Sequence, residues 1–292
     1  MSKRHRKKRA SFVRGQSGGN DADHTAVWAV SFLDLMGYRR DLEAVGDRPA
    51  VDEDEVHRRF GNVVERRRIL VEVLKMHSER LSRITPDGRH RLVSFYRQRV
   101  DIRVTGFSDS VFLESAFGHL PDSPLIALNS VIDASIAAFF VNLGAESPLR
   151  GGIDIGYGLW SKGHLYTAAT VRAVALGEEC AKYPRILVGN SLIRTIESLA
   201  TNQDEVGQLA RIIQSVFYED PEDHRIGLDF MGLASQGSYA RGFTPDHVRK
   251  IWLFARKSQQ ECAARGMSKE SGYYDRLLGY MKPRLPLWGL SG

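Results

Sequence analysis

Two aspartates stand where chemistry can be done. Asp34 ends the apolar run Ala26-Val27-Trp28-Ala29-Val30-Ser31-Phe32-Leu33, and Asp109 sits at the bend of Gly106-Phe107-Ser108-Asp109. They are 75 residues apart in the chain, yet strand ends and hairpin bends of one sheet can be neighbours in space. Two carboxylates on rigid elements, with backbone carbonyls nearby, form a hard-oxygen set that suits Mg²⁺ or Mn²⁺ bound together with a phosphate substrate. Gly37, directly after Asp34-Leu35-Met36, would let backbone N–H groups approach phosphate oxygens at the start of a helix. The structural alternative is an Asp that caps a helix and an Asp that makes a turn, and spacing alone does not separate the two.

Positioning these acids requires a sheet. The run 26–33 is nearly continuous in apolar residues, as expected for a central strand covered on both faces. Residues 93–115 alternate like two strands joined at Gly106–Asp109, a hairpin with its acid at the bend. Between them lies a charged, helix-like segment, then a longer helical stretch from about Asp54 to Ile84. Leu125, Leu128, Ile132, Ile136 and Phe139 recur at helical spacing, which predicts a core helix over 124–143. Arg150–Gly158 reads as a Gly-rich strand with His164-Leu165-Tyr166 as a short partner. A helix over 168–181 leads through Pro184 into the strand Arg185–Val188, and Asn190-Ser191 signals the next helix start. Beyond residue 200 the pattern gives a helix, a strand near Arg225–Phe230 and two helices. The order describes an α+β sandwich, an antiparallel-rich sheet covered by helices, with extra C-terminal helices.

Composition narrows the class. With 292 residues, 42% hydrophobic and 26% charged, the chain has ample length for a core and is not disordered throughout. Two cysteines, Cys180 and Cys262, exclude a disulfide framework and a Cys-rich zinc site, and point to a reducing, cytoplasmic compartment. The nine histidines show no H-x-x-x-H or H-E-x-x-H spacing. The net charge of +6 belongs to a tail: residues 1–20 carry seven Lys and Arg and no acid, leaving 34 positive and 35 negative charges elsewhere. A balanced body predicts no stable nucleic-acid partner, and residues 1–22 read as a disordered basic tail. Residues 123–145 are long and apolar enough to suggest a membrane span, but Asn129, Asp133, Ser135 and Asn142 interrupt them. A buried helix of a soluble protein, with no membrane partner, is the expectation.

The local words carry a resemblance. Phe32-Leu33-Asp34-Leu35-Met36-Gly37-Tyr38 resembles the first metal motif of class III nucleotide cyclases, Phe-x-Asp-x-x-Gly-Phe. Gly106-Phe107-Ser108-Asp109-Ser110-Val111 resembles their second, and Arg150-Gly151-Gly152-Ile153 followed by Gly156 is similar to the family's Arg-x-Gly-Ile-x-x-Gly strand. Order and spacing match over roughly residues 25–190. Ser-Asp-Ser at the hairpin, the Arg-Gly-Gly-Ile strand, Ala181-Lys182-Tyr183-Pro184-Arg185-Ile186 and Arg225-Ile226-Gly227-Leu228-Asp229-Phe230 resemble the pyrimidine cyclases of bacterial Pycsar anti-phage systems.

That resemblance implies a reaction and a division of labour. Residues 23–200 would be the catalytic domain, and 201–292 a C-terminal strand and helical extension packed on it. Asp34 and Asp109, joined by the carbonyl of Leu35, would hold two divalent ions, Mg²⁺ or Mn²⁺. UTP would be cyclised to 3′,5′-cyclic UMP and pyrophosphate, with CTP and cyclic CMP as the nearest alternative. Gly37 and Tyr38 would lie along the nucleotide. A head-to-tail homodimer is implied, as is a separate effector protein that reads the cyclic nucleotide in antiviral defence. Two positions depart from the family pattern. Thr105 stands where purine cyclases carry a Lys, with Arg103 two residues earlier, which leaves pyrimidine recognition to these two side chains. Arg103, a pure donor, suits the O4 of uracil better than the N4 amine of cytosine. Arg172 stands at the family's Asn position and Leu176 at its Arg position, so Arg172 is the candidate for the transition-state charge. Arg185 is read as making a structural salt bridge at a dimer face. The competing classes are a catalytically silent, cyclase-like nucleotide sensor and a nucleic-acid binder working through the basic tail.

Overall fold

The structure, a computed structural model, describes residues 23–37, 54, 61, 64–74, 102–107, 109–117, 124–232 and 243–291. The basic tail, Tyr38 and the segment before the hairpin lie outside the described residues.

Among the described residues, one eight-stranded sheet and seven helices make an α+β fold. β1 (His24–Leu35) pairs antiparallel with both β3 (Ser110–Phe117) and β4 (Leu149–Ser161), and β2 (Arg103–Phe107) pairs with β3. Beyond β4 come β6 (Ile186–Val188), β8 (Ile226–Leu228) and β7 (Phe217–Glu219), while β5 (His164–Thr167) pairs with the far end of β4. Only β4 and β6 run parallel, so the sheet is mostly antiparallel, as expected.

The continuous apolar run of β1 has the physical cause anticipated for it: both faces are covered. Ala29, Leu33 and Leu35 enter the main core, and Ser31 Oγ meets Ser135 Oγ of helix α2 (Pro124–Gly144) at 2.9 Å. Trp28, Val30 and Phe32 face the other way, onto Ala169 and Ala173 of α3 (Ala168–Ala175). The first helix, α1, covers residues 64–74 and sends Leu70 and Leu74 into the main core.

Helix α2 carries the span-like sequence. Leu125–Gly144 has mean hydropathy 1.7, and 83% of that window is buried inside the protein. Two of its polar side chains bond back to the helix itself: Asn142 Nδ2 donates to the Ala138 carbonyl at 2.8 Å and Ser135 to that of Val131 at 2.7 Å, while Asn142 Oδ1 is buried without a partner among the described residues. The apolar length is therefore used against the sheet.

Glycines let α3 approach β4. A Cβ at Gly152 would stand 2.4 Å from the Ala173 carbonyl oxygen and 2.5 Å from Leu176 Cβ. Helix α3 then widens into a π turn, Leu176–Cys180, where Gly177 lies against the Phe32 ring.

The C-terminal portion continues the sheet and adds helices to it. Instead of one strand near Arg225–Phe230, two short strands, β7 and β8, continue the same sheet. Helices α4 (Asn190–Ala200), α5 (Glu205–Gln214), α6 (Pro245–Ala264) and α7 (Ser268–Met281) complete the order. Phe140 of α2 packs on Phe230, Phe243 and Trp288, and Trp288 Nε1 donates to the Met231 carbonyl at 3.0 Å. Arg185, 2% exposed, pairs inside the chain with Asp220 at 2.7 Å and with Asp223. It ties β6 to the β7–β8 turn rather than standing on an outer face.

Candidate metal and phosphate site

Strand register brings the two acids together. Asp34 lies opposite Ser110 on β3 and opposite Arg150 on β4. Asp109 immediately precedes Ser110, and its carbonyl accepts from the Leu35 N–H at 3.3 Å. The register and this contact place both acids at the same end of the sheet.

Asp34 is 6% exposed, and both of its oxygens are engaged. Ser110 Oγ donates to Oδ1 at 3.1 Å and Arg150 Nε to Oδ2 at 2.8 Å. Burial pushes the Asp34 carboxyl above its ordinary range, the Arg150 bond and charge pull it down, and Asp109 adds to the rise. Asp109 is half-buried. The Leu35 side chain is in the main core, which leaves its backbone at the strand end beside Asp109. Gly37 adopts φ +83°, a left-handed turn that a glycine takes without strain.

The candidate donors are two carboxylates and a backbone carbonyl, all hard oxygens, a set whose chemistry would suit Mg²⁺ or Mn²⁺ with water and phosphate oxygens completing the shell. Among the described residues no group of three or more His, Cys, Asp or Glu gathers.

The base-reading candidates sit on the same sheet face. Thr105 is exposed and lies opposite Phe112, two residues along β3 from Ser110. Arg103 lies opposite Glu114. Its guanidinium carbon stands 3.5 Å from the Trp160 ring centre and 5.6 Å from that of Trp28, with Nη1 buried and without a hydrogen-bond partner. Thr105 is open to a ligand, whereas Arg103 is held against two indoles.

Glu114 escaped the sequence reading. It is 7% exposed on β3, and burial pushes its carboxyl up to about 7, with Arg103 opposing. The only signal for it is an acid inside an otherwise alternating strand. A carboxyl raised in the folded state stabilises the protein fully below its unfolded value near 4.5, and that contribution is lost as pH rises through about 7. At about 1.4 kcal/mol per pH unit the loss is roughly 3 kcal/mol. Asp34 shifts in the same direction from a lower starting value, 3.8. Melting curves between about pH 5 and 8 should therefore fall for the unmodified protein and flatten for Glu114→Gln. Equal slopes in both would place the titrating group elsewhere.

Arg172 is placed apart from the acid pair within one chain. Its Nε pairs with Asp154 and its Nη2 donates to the Ile155 carbonyl at 2.7 Å. Asp154 is fully buried and also caps α4, accepting from Leu192 N at 2.9 Å. Asp154 and Arg150 are four residues apart on β4, about 13 Å along a strand. Arg172 and Asp154 line a cavity of about 330 Å³ with Cys180, Asn190, His224 and Arg225. Asp154, like Glu114, is a buried acid that spacing did not single out.

No protein-family model matches this chain, and no curated protein matches it.

Proposed function

We propose that this chain is a two-metal nucleotide cyclase of the class III type, converting UTP, or as the alternative CTP, to the 3′,5′-cyclic nucleotide and pyrophosphate. The convergence of Asp34 and Asp109 at one end of the sheet carries the reading. Two Mg²⁺ or Mn²⁺ ions held there would activate the ribose 3′-hydroxyl and offset triphosphate charge. The 3′-hydroxyl would give up its proton to solvent water as its oxygen attacks the α-phosphorus, the bond to the bridging oxygen of the β-phosphate would break, and pyrophosphate would leave. Asp34 and Asp109 bind, the Leu35 carbonyl orients, and the Gly37 turn leaves backbone room for phosphate oxygens. Thr105, exposed on the same face, is the side chain best placed to meet a pyrimidine edge.

A homodimer is part of the proposal. Tyr157, Leu159 and Tyr166 are 85%, 39% and 60% exposed, and Leu159 faces Tyr166 across β4 and β5. An exposed aromatic patch of this kind suits a second copy. The product would be read by a separate effector, in a soluble, cytoplasmic defence response.

One observation favours a second reading. Asp34 is ion-paired with Arg150 and Arg172 with Asp154, as a silent nucleotide sensor would allow. The two are separated by incubating the purified protein with Mn²⁺ and ATP, GTP, CTP or UTP in turn and resolving products by mass. Cyclic UMP or cyclic CMP is expected. Cyclic AMP or GMP would keep the cyclase and remove the pyrimidine specificity. Intact nucleotide throughout, with nucleotide bound, would favour the sensor.

A further inference from the structure

Asp34 presents a problem that the fold has already solved in one way. A carboxylate 6% exposed is costly without a partner, and Arg150 supplies the partner at 2.8 Å. The register of β1 against β4 sets Asp34 directly opposite Arg150, so the pairing follows from backbone hydrogen bonding rather than from a mobile side chain finding an acid. The oxygen that Arg150 holds is one a divalent ion needs. Ser110 holds the other, and a hydroxyl can turn to accommodate a cation where a guanidinium cannot.

Arg150 also has somewhere to stay. Its Nη1 donates to the Glu178 carbonyl at 3.2 Å, within the π turn Leu176–Cys180. Its side chain is 30% exposed, which gives the guanidinium a path toward water. Breaking the Nε bond to Asp34 would leave the second bond in place.

We propose that Arg150 is the resident counter-ion of Asp34 and yields that position when a divalent cation binds, so that the metal-free protein keeps its acid pair closed by an internal cation. The inference rests on the metal reading of Asp34 and Asp109 and extends it to a third residue, as a brake on metal entry. Two effects act together: the cation must displace Nε from Oδ2, and a guanidinium left within a few ångströms of the ion repels it. Removing the guanidinium removes both.

The test is a Mn²⁺ titration of the full-length, nucleotide-free protein, following loss of the free-ion electron paramagnetic resonance signal. Unmodified protein, Arg150→Gln and Asp34→Asn are compared in mildly alkaline buffer. The expected result is Asp34-dependent binding that is at least about tenfold tighter in Arg150→Gln, equivalent to about 1.4 kcal/mol. Binding that needs Asp34 but is equal or weaker in Arg150→Gln overturns the counter-ion role and leaves the metal site standing. Binding that ignores Asp34 in every protein overturns the metal reading and this inference with it. Should Arg150→Gln fail to fold, the unmodified protein gives an independent reading. The Arg150 Nε–H proton resonance, assigned by its absence from Arg150→Lys, should be protected from exchange without metal and become labile on adding MgCl₂. Protection unchanged at saturating Mg²⁺ would show that the pair never opens, and the proposal would fall.

Discussion

Asp109→Asn is expected to abolish cyclic-nucleotide formation while leaving the melting temperature almost unchanged. Asp109 is half-buried in a hairpin bend, and its carbonyl, not its side chain, makes the contact to Leu35. An amide of the same size keeps the bend. What it removes is a negative oxygen for a divalent ion, and metal stabilisation of phosphoryl charge is worth several kcal/mol, or on the order of 10³-fold in rate. Asp34→Asn should lose as much activity and gain a little stability at neutral pH, because for the ionised carboxyl burial outweighs the Arg150 pair. The two variants thus share a kinetic outcome and differ in thermal outcome. Turnover of UTP by Asp109→Asn within tenfold of the unmodified protein would end the two-carboxylate mechanism.

What the sequence discloses and what it hides follow from the range of the interactions. β1 was legible because both of its faces are buried, so its apolar run is broken only by Ser31 before the acid. The hairpin was legible from alternation, and α2 from helical spacing together with the polar residues that interrupt its apolar length. The pairing of Asp34 with Arg150 was not legible. It depends on the register between strands 116 residues apart in sequence, and no local pattern encodes a register of that kind. Glu114 was hidden for a related reason. Alternation assigns a polar strand residue to solvent, whereas here Arg103 reaches over Trp28 and Trp160 on the same face and closes it. β7 and β8 are three residues each, too short for any period to show. Arg150 itself was in view throughout, read as one letter of a strand motif. Its chemistry became visible only when the sheet set it beside an acid.

Arg172→Ala carries the second large expectation, and it is one of stability. Asp154 is fully buried, and losing its cation strands a negative charge in the core. Removing one partner of such a pair costs about 3 kcal/mol, discounted to the low end because the Arg172 side chain is 41% exposed. For a chain of this size that lowers the melting temperature by roughly 6–10 °C. Helix α4 should fray with it, since the same carboxylate receives Leu192 N. A second substitution then tells position from catalysis. Asp154→Asn in the Arg172→Ala background removes the stranded charge and keeps an oxygen for Leu192, so stability should largely return. If Arg172 serves as a counter-ion, turnover returns with it, and that is the expected result. A double variant that melts normally and makes no cyclic nucleotide would assign Arg172 to the transition state. In that case it would have to act on the acid pair of the other subunit, because within its own chain the guanidinium is committed to Asp154 and Ile155, about 13 Å along β4 from Arg150.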